Sequence, residues 1–201
     1  MYLRWTRAIS VSAFAAICAV AIAAKPADPK AEMDKPVTDF KLRDLMRDLK
    51  DNEKPESAIV ELSKFKGKKP VVMFFMSERC GTTWRYEKRF GKLMKENAKN
   101  VAFLGVRCSA NDTPEGLRKF AESKNFVMPL VNDEKGEVTS YYKVTNTPTF
   151  AVIDKEGVLR YRGSFDDNPM EDKVQNNYLP DAVKAVLENK KVAVNTTRPF
   201  G

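Results

Sequence analysis

Histidine is absent from all 201 residues. That absence removes the Ser/His and Cys/His dyads of nucleophilic catalysis and every zinc site built on imidazole. Cysteine is nearly as scarce, with three in the chain, and Cys18 falls in an N-terminal segment expected to be discarded. The two that remain, Cys80 and Cys108, are too few for a thiolate-bound metal cluster, so the sequence predicts no metal and no cofactor. Internal repeats and low-complexity blocks are missing too. So is any basic stripe interleaved with aromatics. The chain carries a net charge of +8, but its lysines alternate with acids along Lys41–Lys54 and Lys88–Lys99, the pattern of solvated helix faces. Nucleic acid is therefore not an expected partner, although the charge biases partner choice toward acidic surfaces.

What is present begins with Arg4 and Arg7, an apolar run from Ala8 to Ala24 and small residues around Ala21 and Ala23, the three regions of a secretory signal. The run is short for a membrane span, which needs roughly 20 residues. A membrane is thus expected as a partner only if this segment stays uncleaved. The organisation read from the sequence is a signal over 1–23, a flexible leader over 24–36 rich in Pro, Ala, Lys and Asp, one domain over 37–190, and a tail over 191–201. The expected location is periplasmic or secreted, where disulfides are permitted.

Within the domain, Phe40–Leu42 and Ala58–Leu62 alternate as short strands around a charged insertion, Arg43–Ser57. The continuous apolar run Val71–Met76 reads as a strand buried on both faces. A helix is expected from Thr83 to Ala98, with Tyr86, Phe90, Leu93 and Met94 on one stripe. There follow a strand over Val101–Val106 and a helix capped by Asp112 or Thr113 with Pro114 in its first turn. A short helix is expected around Glu137–Tyr142, then a hairpin of Thr149–Ile153 and Val158–Arg162, then a last helix opened by Pro180. This order implies an α/β fold with a mixed central sheet and helices on both faces.

Chemistry centres on Cys80, in Ser77-Glu78-Arg79-Cys80-Gly81-Thr82-Thr83-Trp84. A thiol where a buried strand gives way to a helix sees unpaired backbone N–H groups and the positive end of the helix dipole, both of which favour thiolate. Arg79 and Arg85 are expected to add to the effect. The segment Ser63–Val72, the strand after it and Cys80 at the helix start together resemble the thioredoxin superfamily. The closest resemblance within it is to exported redoxin-type thiol–disulfide oxidoreductases of the TlpA-ResA kind. Thr147-Pro148-Thr149-Phe150 and Ile153–Gly157 resemble that family's cis-proline loop and hairpin. The resemblance spans roughly Val37 to Leu187. It implies the thioredoxin fold, a cis Pro148 beside Cys80, and a substrate-binding edge formed by Thr147, Pro148 and Thr83, with protein thiols or disulfides as partners.

Three positions depart from the family pattern. Thr83 stands where a second cysteine is usual, giving Cys-x-x-Thr; Arg79 replaces a tryptophan; and Phe74 replaces a buried carboxylate. Without a second thiol in the turn, Cys80 would be trapped as a mixed disulfide unless another thiol resolves it. Cys108, at the end of the neighbouring strand, is the internal candidate. Redox pairing, a permanent structural bridge and no pairing all stand open for it. Three functional readings follow: a thiol–disulfide oxidoreductase acting through Cys80, a peroxiredoxin-type peroxidase, and a redox-inactive binding module. For the peroxidase, Ser77 occupies the hydroxyl position three residues before the cysteine, but the family's proline and arginine are missing. The paired Asp166 and Asp167 read as loop caps, and Glu78 and Glu87 as solvated carboxylates that could shuttle protons.

Overall fold

A computed structural model describes residues 30–201. The expected signal segment and the first part of the expected leader lie outside the described residues. Five strands form the central sheet in the order β5-β4-β3-β6-β7. They are β3 (Val71–Met76), β4 (Ala102–Arg107), β5 (Leu130–Asn132), β6 (Thr149–Ile153) and β7 (Leu159–Gly163), and a separate antiparallel pair joins β1 (Lys41–Arg43) to β2 (Ile59–Glu61). β3, β4 and β5 run parallel, whereas β6 and β7 run antiparallel to their neighbours. The mixed sheet expected from the sequence is therefore present, with helices on both faces.

The placement of β3 explains its composition. It lies between β4 and β6, so both faces are covered and all six residues are buried. Its side chains alternate between two cores. Val72, Phe74 and Met76 join one with residues of α2 (Glu87–Asn97), α3 (Pro114–Ser123) and α5 (Tyr178–Leu187). Val71, Met73 and Phe75 join the other beneath α4 (Glu137–Tyr141) and the β1–β2 pair. Each such buried side chain contributes about 1.5–3 kcal/mol. Phe74, in place of the family's carboxylate, has its ring 4.5 Å from Phe90 and 4.8 Å from Phe150. A charge would have no partner there. In β4, a Cβ on Gly105 would meet Leu130 Cδ1 at 2.8 Å and Met128 Cε at 3.0 Å, so the side chains of the β5 strand and the residues before it fill the space above this glycine.

Several boundaries differ from those expected. The single helix over Thr83–Ala98 is two: α1 (Gly81–Arg85) and α2, broken at Tyr86, whose N–H bonds back to Thr83 O as well as Trp84 O. Tyr86 is buried and donates its hydroxyl to Asp166 Oδ1 at 3.0 Å, and Arg89 of α2 ion-pairs with the same carboxylate. That anchor fixes the turn. β5 was not expected, being only three residues long after Pro129. Thr113 alone caps α3, accepting from Gly116 N at 3.0 Å, because the Asp112 side chain is engaged elsewhere. Pro180 sits in the first turn of α5, two residues after its start at Tyr178.

The expected leader and tail are also more ordered in part. Ala31 is buried, its N–H donates to Tyr141 O at 2.8 Å, and Pro36 bridges Val158. At the other end Val192 is buried and Thr196 bridges Arg162 beside β7. Apolar side chains at 31 and 192 that fit gaps beside the sheet bring polar sequence around them into place.

Candidate active site

β3 ends at Met76, and the chain turns sharply through Ser77–Cys80, with Cys80 N donating to Ser77 O at 3.3 Å. Cys80 is the N-cap of α1, with extended backbone angles of φ −85° and ψ 111°. A five-residue helix has little macrodipole, so the influence on the sulfur is local. The Thr147–Pro148 peptide is cis, as the resemblance implies, and Cys80 Sγ–H donates to Thr147 O at 3.0 Å. β6 begins at Thr149, and Thr149 Oγ1 donates to Asn146 O at 2.6 Å, closing the loop that presents Thr147. Because β6 pairs with β3, the cysteine turn and the proline loop emerge side by side at one sheet edge. Ligands of open α/β sheets bind at such edges.

Partial burial pushes the Cys80 thiol up. Hydrogen bonding from the side chains of Thr147 and Thr83, and from the N–H groups of Thr83 and Thr82, outweighs it, leaving the pKa below the ordinary cysteine value. Arg79 and Arg85 are exposed. The largest effects that favour the thiolate come from threonine hydroxyls and backbone amides, ahead of the arginine charge expected from the sequence. Thr83 is 1% exposed, and its hydroxyl finds no settled partner while the sulfur's proton points at Thr147. It stands ready to bond a thiolate.

Cys108 follows β4. The parallel register pairs Met76 with Arg107, so Cys108 lies opposite Ser77, three residues short of Cys80, and its thiol donates to Met76 O at 3.4 Å. Both cysteines are free thiols on the same edge. Burial pushes Cys108 up to about 12, with the negative charges of Asp112 and Asp133 adding to the rise.

Sequence reasoning missed a polar network beneath this edge. Ser77 Oγ donates to Asp112 Oδ1 at 2.9 Å, and both residues are buried. Arg107 donates through Nε and Nη2 to Asp112 O, at 3.0 and 2.5 Å, and through Nη1 to Asn132 Oδ1 at 3.0 Å. The only available signal was polar residues directly after apolar strands. Trp84 was also passed over. It is 52% exposed, and its indole N–H donates to Glu78 O at 2.7 Å, bracing the cysteine turn. Glu87 pairs with Lys124 at 2.6 Å, and the Glu78 carboxylate packs against Gly116 of α3; neither is directed at Cys80. Asp166 is fully buried in the Tyr86–Arg89 network, and Asp167 accepts from Gln175 N at 2.9 Å. Both are structural.

Comparison with known proteins agrees with this architecture. The chain is 30% identical over 112 residues to thioredoxin-like protein YneN of Bacillus subtilis, a match covering 54% of this chain and 65% of that protein. It thus spans slightly less than two thirds of that relative's length. It is 27% identical over 183 residues, 88% of both chains, to a protein of Pasteurella multocida described as probable thiol:disulfide interchange protein DsbE-2. Among solved structures, a hypothetical protein from Sinorhizobium meliloti 1021 superposes with a TM-score of 0.72 at 24% identity, over 86% of this chain and 93% of that one, a likeness of fold. The AhpC/TSA family model matches residues 33–162, which take in the cysteine turn, the cis-proline loop, β3 to β6 and all but the last residue of β7. With a thioredoxin fold and a cysteine turn set against a cis-proline loop, the chain belongs to the AhpC/TSA family of thioredoxin-like redoxins.

Proposed function

We propose that this protein is an extracytoplasmic thiol–disulfide oxidoreductase in which Cys80 is the nucleophile and Cys108 the resolving thiol. The observation that carries the reading is the Cys80 sulfur at 3.0 Å from Thr147 O, with its pKa lowered by threonine hydroxyls and backbone amides at the sheet edge where the cysteine turn meets the cis-proline loop. The Cys80 thiolate attacks one sulfur of a substrate disulfide. A Cys80–substrate bond forms, the substrate S–S bond breaks, and the other substrate sulfur leaves as thiolate. Cys108, once deprotonated, attacks Cys80 Sγ; the Cys80–Cys108 bond forms and the second substrate thiolate departs. The substrate gains two electrons and the cysteine pair loses them, to be restored by an external dithiol.

Thr147 N–H donates to no protein group among the described residues, leaving a backbone position for an extended substrate segment, with Thr83 and Pro148 alongside. This favours protein thiols or disulfides as partners. Ser77 bears on the choice between disulfide and peroxide chemistry. Its hydroxyl is committed to Asp112 and does not serve the thiolate, which favours disulfide exchange. Residues 1–23 would act as the export signal and 37–190 as the domain, consistent with an oxidising compartment.

The test is a trapping experiment. Reduced Cys108→Ala protein mixed with a peptide disulfide should accumulate a Cys80–peptide adduct, visible by intact mass. The parent should instead release free peptide and lose two hydrogens. Absence of any adduct in Cys108→Ala, with Cys80 still alkylatable, would refute disulfide exchange and favour the redox-inactive binding module.

A further inference from the structure

The segment after Val192 returns across β7 toward the Cys80 site. Arg162 N donates to Asn195 O at 3.0 Å, and Thr197 N donates to Arg162 O at 3.2 Å. Thr197 Oγ1 is the fixed point: it accepts from Ser164 N at 2.9 Å and lies 2.8 Å from Tyr161 Oη and 3.1 Å from Ser164 Oγ. Beyond it, Arg198–Gly201 make no backbone–backbone hydrogen bond among the described residues. Phe200 is half-buried against the core cluster of β3, β6 and α5, and Asn146 Nδ2 donates to Gly201 O. Gly201 lies directly on the backbone of Thr147. A Cβ placed there would collide with Thr147 O and come within 3.2 Å of Thr147 C and 3.4 Å of Thr147 N. Thr147 O is the same atom that accepts the Cys80 thiol.

We infer that the segment Pro199–Gly201 sets Gly201, in the resting protein, on the backbone edge on which a substrate segment docks, so that an extended peptide must displace the segment to reach Cys80. The inference rests on the proposed disulfide-exchange reading, because it takes the Thr147 edge as the docking surface. Two features suit the segment to this part. Thr197 tethers it tightly, and Arg198–Gly201 have no backbone–backbone hydrogen bond among the described residues, so they can leave without unfolding β7. A glycine at the contact lets the two backbones meet as closely as an incoming strand would. A tethered occupant has a high effective concentration, so modest contacts suffice to compete with substrate. Small reagents that approach the sulfur without pairing to Thr147 escape this competition.

The probe is a ten-residue peptide whose single cysteine is a mixed disulfide with 2-nitro-5-thiobenzoate. Cys80 thiolate attacks the peptide sulfur, and the coloured thiolate leaves. Rates are compared in the parent, in a chain stopped after Arg198, and in Gly201→Val, which keeps Phe200 but cannot lie on Thr147. Iodoacetamide alkylation of Cys80 is followed in parallel. Both variants should react with the peptide about fivefold or more faster than the parent, with alkylation changed less than twofold. Parent rates with the peptide in Gly201→Val, its fold intact by circular dichroism, would overturn the inference while leaving disulfide exchange standing. No reaction with the peptide in any of the three proteins, with alkylation normal, would overturn disulfide exchange and this inference with it.

Discussion

Cys80 and Cys108 leave adjacent strands at the same sheet edge, and both are free thiols, yet the protein treats them oppositely. Cys80 sits in a turn, where N–H groups and threonine hydroxyls converge on the sulfur and lower its pKa. Cys108 sits at the end of β4 against the core, with two carboxylates in its surroundings, and is pushed up to about 12. The difference teaches that a thiol's reactivity is set by which groups can bond the anion, not by how near it lies to a site. It also orders the proposed reaction. Cys80 attacks first because its thiol gives up its proton the more readily of the two; Cys108 enters only after its proton is drawn off.

The largest effect should come from removing the favoured thiol. Cys80→Ala should lose disulfide reductase activity by more than about 100-fold in a dithiothreitol-coupled peptide assay, since Cys108 remains protonated near neutral pH. Substantial activity in that variant would break the assignment. Next is the separation of the two titrations. Alkylation of Cys80, measured in Cys108→Ala, should rise through a midpoint below that of an ordinary cysteine. Alkylation of Cys108, in Cys80→Ala, should still be climbing as pH approaches about 12. Coincident midpoints would erase the contrast.

Thr83→Val tests the cause of the Cys80 shift. It keeps the shape of a buried side chain but removes the hydroxyl that helps lower the pKa. The midpoint should rise and alkylation at pH 7 should slow several-fold. The smallest expected effect belongs to Asp112→Asn. The Asp112 charge raises Cys108, so neutralising it should lower the Cys108 midpoint and speed its alkylation at pH 9–10 several-fold, with Cys80 unchanged. An unchanged Cys108 titration would mean that burial alone holds its proton.

A reading of the sequence located much of this. The run Val71–Met76 matches β3 to the residue, because a strand covered on both faces must be apolar throughout. Thr149–Ile153 likewise matches β6. Chain order brings Cys80 after β3 and Cys108 after β4 to one edge, and the family resemblance supplied the cis Pro148 before β6. Helix continuity through Tyr86 was not legible, because the break depends on a hydroxyl bond to Asp166, 80 residues away. Nor was the Ser77–Asp112–Arg107 network, whose members follow strands that pair only in the folded sheet.

The sequence by itself determined the alternation of strands and helices, the absence of imidazole chemistry, and the place of Cys80 at the turn from a buried strand into a helix, since periodicity, composition and local turn position are carried by neighbouring residues. Only the tertiary structure decided what sets that cysteine's pKa, which carboxylates surround Cys108, and what covers Thr147. Threonine hydroxyls and backbone amides came to bear most on the Cys80 sulfur, and the segment ending at Gly201 came to lie on the backbone of Thr147. Each of these depends on distances across the sheet edge between segments far apart in the chain. Those distances come into being only when the two cores close on either face of β3 and fix the loops that emerge from it.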